Sequence, residues 1–164
     1  MKIVIKIIFS LSFLANIALA NDGQMTAKLL TDTIKSYGNK IEINSNVISF
    51  KYDSVSLYCV FDINADRMRL VSPIANIDQL SAEMVIRAMQ ANYHSVLDAR
   101  YAIGDDLIYS AFIHPLSSLT VKEVESAIRQ VATAAQTFGG LYSSGELVFP
   151  QSPQREEKPK KNEA

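Results

Sequence analysis

Residues 56–71 read SLYCVFDINADRMRLV, and the alternation within them decides the architecture. Leu57, Cys59, Phe61 and Ile63 fall on one side of an extended chain, because successive side chains of a strand point to opposite faces. Asn64-Ala65-Asp66 makes a tight polar connection into RMRLV, where Met68 and Leu70 oppose Arg67 and Arg69. Just upstream, VISFKY (47–52) places Ile48, Phe50 and Tyr52 on one side and Ser49 and Lys51 on the other. Three short strands joined by short turns read as an antiparallel meander. Pro73 is expected to end the third strand, since it brings no amide to a ladder.

Helices flank the meander. TAKLLTDTIKSY (26–37) sets Ala27, Leu30, Ile34 and Tyr37 on one helical face, and Gly38-Asn39 supplies a stop that tolerates the left-handed conformation. DQLSAEMVIRAMQANYHSVL (78–97) reads as a second helix, capped by Asp78 and apolar on more than one face. Then DARYAI and LIYSAFIH form two strand-like runs joined by Gly104-Asp105-Asp106, a hairpin in which glycine is expected to carry the unusual backbone angles. Thr120 and Glu123 have capping-box spacing. The helix they open carries Val124, Ala127, Ile128, Val131, Ala135 and Phe138 on one stripe and ends at Gly139-Gly140. ELVF (146–149) has the composition of a short edge strand. The order is helix, three strands, helix, two strands, helix: an α+β fold with an antiparallel sheet.

The two ends differ from this middle. Residues 1–20, MKIVIKIIFSLSFLANIALA, combine two lysines, an apolar run and Ala18-Leu19-Ala20, the pattern of a signal peptide cut after Ala20. The run is too short for a membrane span, so no stable insertion is expected after cleavage. The localisation expected is periplasmic or secreted. Residues 21–149 then form one domain, and 150–164, rich in proline and charge, form a disordered tail. Without the two leader lysines, fourteen basic residues face seventeen acidic ones, which gives no electrostatic footprint for nucleic acid. Cys59 is the one cysteine, so no internal disulfide forms, and its apolar neighbours predict a buried thiol.

Catalytic readings fail on geometry. His94, Ser95 and Asp98 are close in the chain, but adjacent helical residues point about 100° apart, so no triad assembles, and no nucleophile elbow is present. His94 with Asp98 is a weak metal pair, and Asp105-Asp106 lacks the rest of a calcium loop. Cys59 with His114 would need an electropositive, accessible thiol, which the surrounding residues do not offer. Gly139-Gly140 follows a helix and opens none, so it cradles no phosphate. No catalytic residue, metal site or cofactor is expected.

LYCVFDINADRMRLVSPI and ANYHSVLDARYAIGDDLIYSAFIHPLSSLTVKEVESAI, with the order of elements, resemble the YbjN-like family, which is related in fold to the Tir-chaperone type of type III secretion chaperone. The resemblance spans roughly residues 25–142. It includes an asparagine near the end of the second helix, here Asn92, a glycine-acid turn and a Leu-Thr start to the last helix. It implies a twisted antiparallel sheet with packed helices, frequent dimerisation, and apolar surface that holds an extended client. It brings no catalytic motif.

A chain with its own leader departs from chaperones that act before export. The function expected is therefore an exported, non-enzymatic interaction or regulatory module of the cell envelope, with an unidentified envelope or secreted protein as partner. A periplasmic small-molecule or lipid carrier is the alternative. Tyr58, Val60, Ile108 and Phe112 are the candidate peptide-binding positions, on the sheet face away from the helices. Leu80, Met84, Met89 and Tyr93 are the candidate homodimer contacts.

Overall fold

The computed structural model describes residues 24–145; the leader, ELVF and the tail lie outside them. Helix α1 (Ala27–Tyr37) leads into four strands, β1 (Asn39–Asn44), β2 (Val47–Tyr52), β3 (Val55–Asp62) and β4 (Arg67–Asn76). Helix α2 (Ala82–His94), strands β5 (Arg100–Gly104) and β6 (Leu107–His114) and helix α3 (Val121–Thr137) follow. The six strands form one sheet in the order β1-β2-β3-β4-β6-β5, with every neighbouring pair antiparallel.

The meander thus has a fourth strand that the alternation did not announce. NKIEIN offers only Ile41 and Ile43 as apolar residues, and β1 is an exposed edge with a register shift between Asn39 and Glu42. Pro73 also does not end its strand. The ladder between β3 and β4 runs only as far as Tyr58 opposite Val71, so at Pro73 the strand has a partner on the β6 side alone. Proline is tolerated at such a local edge, and the register shifts between Pro73 and Ala75.

All three helices lie on one face. α3 crosses β2 to β6, α1 packs on α3, and α2 lies beside β5. Ile48, Leu57, Cys59, Leu70, Ile108 and Phe112 from the strands meet Leu30, Ile34, Val124, Ile128 and Val131 from the helices in a single core. α1 stops at Gly38 without the expected left-handed residue at Gly38 or Asn39, and space is what requires the glycine. Its backbone is extended, and a Cβ there would lie 2.6 Å from the Phe50 ring. The helix α2 begins three residues later than its sequence signal. Asn76 caps a short 3-10 turn over Ile77–Gln79, and the cap of α2 is Ser81, whose Oγ accepts the Met84 amide at 3.2 Å. α3 begins with the expected capping box and is followed by Gly139 at φ +80°.

Candidate functional site

The face of the sheet opposite the helices is the candidate site, and register fixes who stands on it. Antiparallel partners share a face. Cys59, Leu70 and Phe112 form an inward row across β3, β4 and β6. Val47, Val60, Arg69 and Ile113 form an outward row across β2, β3, β4 and β6, and Ser49, Tyr58, Val71 and Ala111 form the next. Tyr58 and Val60 are 39% and 37% exposed, and Ile113 is 58% exposed. Among the described residues, no helix packs on this face.

Two of the four expected peptide-binding positions are therefore on it, Tyr58 and Val60. Ile108 and Phe112 are not: both are buried in the core beneath α3, at 2% and 7% exposure. The reason lies in strand β6. Its inward register reads Ile108, Ser110, Phe112, His114, and its outward register reads Leu107, Tyr109, Ala111, Ile113. The outward set is the more uniformly apolar of the two, so alternation alone does not choose. What chooses is α3, which passes close enough for the buried Ser110 hydroxyl to donate to the Val131 carbonyl at 2.7 Å. The outward residues Tyr109 and Ile113 take the places on the open face that Ile108 and Phe112 were expected to fill.

Two surface depressions cover this region. One, of about 500 Å³, lies among Val60, Phe61, Asp62, Arg67, Met68, Arg69 and Ile113. The other, of about 400 Å³, runs from Val60 and Arg69 past Val71 and Tyr109 to Gly104 and Asp105. They meet at Val60, Arg69 and Ile113.

The dimer candidates divide as well. Met89 and Tyr93 are 63% and 72% exposed, and the neighbouring Ile86 completes a stripe with spacing of three and four residues. Leu80 is half-buried against the core, and Met84 is half-buried, with its terminal methyl 3.7 Å from where a Cβ of Gly139 would stand.

Most of the polar residues considered for chemistry have structural partners. Ser95 Oγ donates to the Tyr142 carbonyl at 2.5 Å. Asp98 belongs to a clasp made by the buried Gln130, whose Oε1 accepts the amides of Asp98 and Ala99 at 2.8 and 3.1 Å while its Nε2 donates to Asp98 at 3.2 Å. His94 meets the Tyr93 ring edge-on, and its Nδ1 is buried with no hydrogen-bond partner among the described residues. His114 stacks on Phe112 with ring centres 5.8 Å apart and has Nδ1 2.9 Å from the Pro115 carbonyl. Burial pushes the Cys59 thiol up to about 12, which removes the thiolate a nucleophile would need.

A polar cleft of about 340 Å³ lies between β6 and α3, lined by Asp98, Arg100, His114, Glu123 and Gln130 among others. Glu123 accepts the Thr120 amide at 2.6 Å in the capping box, and that bond holds its carboxyl below the usual range. Arg100 is folded onto the carbonyls of Val96, Leu97 and Ala99. Asp66, in the β3–β4 turn, accepts the Ser117 amide at 2.7 Å and its hydroxyl at 2.8 Å, which lowers its carboxyl in the same way.

Asn92 has a structural role that the sequence pattern did not explain. Its Oδ1 accepts the Tyr101 amide at 2.7 Å and its Nδ2 donates to the Tyr101 carbonyl at 3.1 Å. One side chain thus occupies both backbone groups of Tyr101 at the free edge of β5, as a neighbouring strand would.

No family model and no curated protein matches this chain. Solved structures do. A chain of the HopA1–SchA chaperone–effector complex superposes with a TM-score of 0.53 at 13% identity, covering 68% of this chain and 90% of that one. A chain of the ExsC–ExsE complex gives a TM-score of 0.53 at 14% identity, covering 71% and 92%. At such identities the likeness is one of fold, and it establishes the chaperone-like α+β architecture expected from the order of elements.

Proposed function

We propose that this chain is a non-enzymatic interaction module that holds an extended polypeptide on the open face of its sheet. The observation that carries the reading is that face itself. Tyr58, Val60, Tyr109 and Ile113 stand on the side of the sheet opposite the described helices, and Val60, Tyr109 and Ile113 line the two depressions there. An extended segment presents alternate side chains to such a surface, so affinity comes from apolar pockets spaced two residues apart. The likeness to a chain of a chaperone–effector complex supports a protein as the occupant.

Residues 1–20 add the compartment to this proposal. As a signal peptide they would send the domain to the envelope as an exported YbjN-like protein, whose partner is an envelope or secreted protein. N-terminal sequencing of the periplasmic fraction should then find Asn21 first, and Met1 on membrane-bound material would overturn the assignment. Among the described residues no helix is long and apolar enough to cross a membrane.

The carrier reading has a narrower base. The apolar cleft between α2 and β5, lined by Val85, Met89, Tyr101, Ile103 and Ile108, holds about 230 Å³. Small-molecule sites usually offer about 300–1,000 Å³.

Selection of linear peptides from a displayed library against the full chain tests the main reading. Enriched peptides should bind wild type and lose binding to both Val60→Asp and Ile113→Asp, two exposed positions where an added charge leaves the core intact. Peptides that bind these variants unchanged would overturn the assignment of the face.

A further inference from the structure

This inference rests on the polypeptide-binding reading and concerns what the open face selects. Register sets Arg69 between Val60 on β3 and Ile113 on β6, so one guanidinium interrupts an otherwise apolar row. It stands where the two depressions meet. Two other arginines have their guanidinium groups committed nearby: Arg67 donates to the Asp66 carbonyl, and Arg100 to three carbonyls of the α2–β5 connection. Among the described residues, Arg69 has neither a hydrogen bond nor an ion pair, and the three ion pairs present all lie within single helices.

We propose that Arg69 is a specificity residue, and that the partner is an extended segment carrying one carboxylate among alternating apolar residues. An apolar segment without an acid would cover Arg69 and leave its charge buried and unpaired, which is costly. A segment with an acid satisfies it through a charge-assisted hydrogen bond in a site shielded by Val60 and Ile113. The trough is also polar along its length. Asp105 closes the far end, beside Gly104, whose partner Leu107 lies six residues along β6 from Ile113, or about 20 Å. Asp62 also lines the Arg69 end, but its Oδ1 accepts the Asn64 and Ala65 amides at 2.9 and 3.0 Å, and Arg67 lines the same depression. A carboxylate is therefore favoured there and disfavoured at the other end, which fixes where the acid of the bound segment sits.

Fluorescence polarisation with three labelled ten-residue peptides tests this. Each alternates valine and serine around a central glutamate, glutamine or lysine. With the full chain, the glutamate peptide should bind about tenfold more tightly than the lysine peptide. Arg69→Glu should invert that order, and Arg69→Met should level it. An order unchanged in Arg69→Glu would overturn the inference. Equal binding of all three peptides, lost in Val60→Asp, would also overturn it while leaving the polypeptide reading intact. If no peptide binds, and the face instead takes dodecanoate or a second copy of the chain, the inference and the reading both fall.

Discussion

Asn92 shows how much a single side chain can decide. From the last turn of α2 it covers the Tyr101 position on the edge of β5, through two bonds to the backbone of that residue. Replacing it by alanine strands an amide and a carbonyl, each of which costs about 1–3 kcal/mol when left unpaired in a half-buried site. We expect Asn92→Ala to lower the urea midpoint by an amount equivalent to about 2 kcal/mol. Asn92→Asp, which keeps the acceptor alone, should fall between alanine and wild type. Cys59 gives a second expectation, with a definite sign. Its thiol is raised to about 12 by burial, from an ordinary value near 9. Above pH 9 the unfolded chain therefore releases a proton that the folded chain keeps. Stability from this group is complete below pH 9 and falls toward pH 12, by up to about 1.4 kcal/mol per unit. Burial also raises Tyr101 to about 12, so its loss begins about one unit higher. Between pH 8.5 and 10, Cys59→Ala should flatten the decline of the urea midpoint, whatever it does to stability at pH 7. A slope unchanged in that variant would show that the thiol is not the group titrating.

Turns and strands were legible in the sequence where one residue type had one meaning. The capping box at Thr120, the alternation of β2, that of β3 as far as Phe61 and the pairing of the hairpin after Arg100 folded as their residues indicate. Ile63, expected on the inward side of β3, instead falls in the turn after it and is 66% exposed. Turns and strands failed to read where two causes compete. β6 carries large apolar residues in both registers, so its buried side follows from the passage of α3. β1 is too polar to announce itself and exists because β2 offers it a ladder. The hairpin at 104–107 shows the same limit within one turn. The positive φ belongs to Asp105, at +50°, and Gly104 is not in that region. A Cβ on Gly104 would rest 3.5 Å from the Tyr109 ring, an ordinary contact. We therefore expect Gly104→Ala to be nearly silent in thermal unfolding. Asp105→Asn should also be mild, because asparagine accepts the left-handed region, whereas Asp105→Val should cost about 1–2 kcal/mol. A loss on Gly104→Ala larger than that on Asp105→Val would contradict the observed turn.

The assembly question turns on what remains uncovered once the core is made. α2 buries Ala88 and Ala91 and leaves Ile86, Met89 and Tyr93 in solvent along one stripe. Ile103, 49% exposed on the neighbouring strand, lies with Met89 in the adjoining apolar cleft and extends the patch. Pairing two sheets edge to edge through β5 is opposed by Asn92, which already holds the exposed groups of Tyr101. A two-fold contact here would therefore be made by side chains, α2 against its symmetry mate, with Met89 and Tyr93 central and Leu80 and Met84 behind them as support. Stable dimers bury about 1,200–2,000 Å² in total, more than one stripe supplies, so the cleft and Ile103 must take part. We expect the full chain to sediment as a dimer at micromolar concentration. Met89→Lys and Tyr93→Lys, each introduced twice per dimer, should give folded monomers, because neither side chain belongs to the core. Ile103→Lys should weaken the dimer as well. A wild-type chain that stays monomeric throughout the micromolar range would sink the expectation. A dimer that persists in all three variants would place the contact elsewhere, and the open sheet face with Val60 and Ile113 would be the next surface to test.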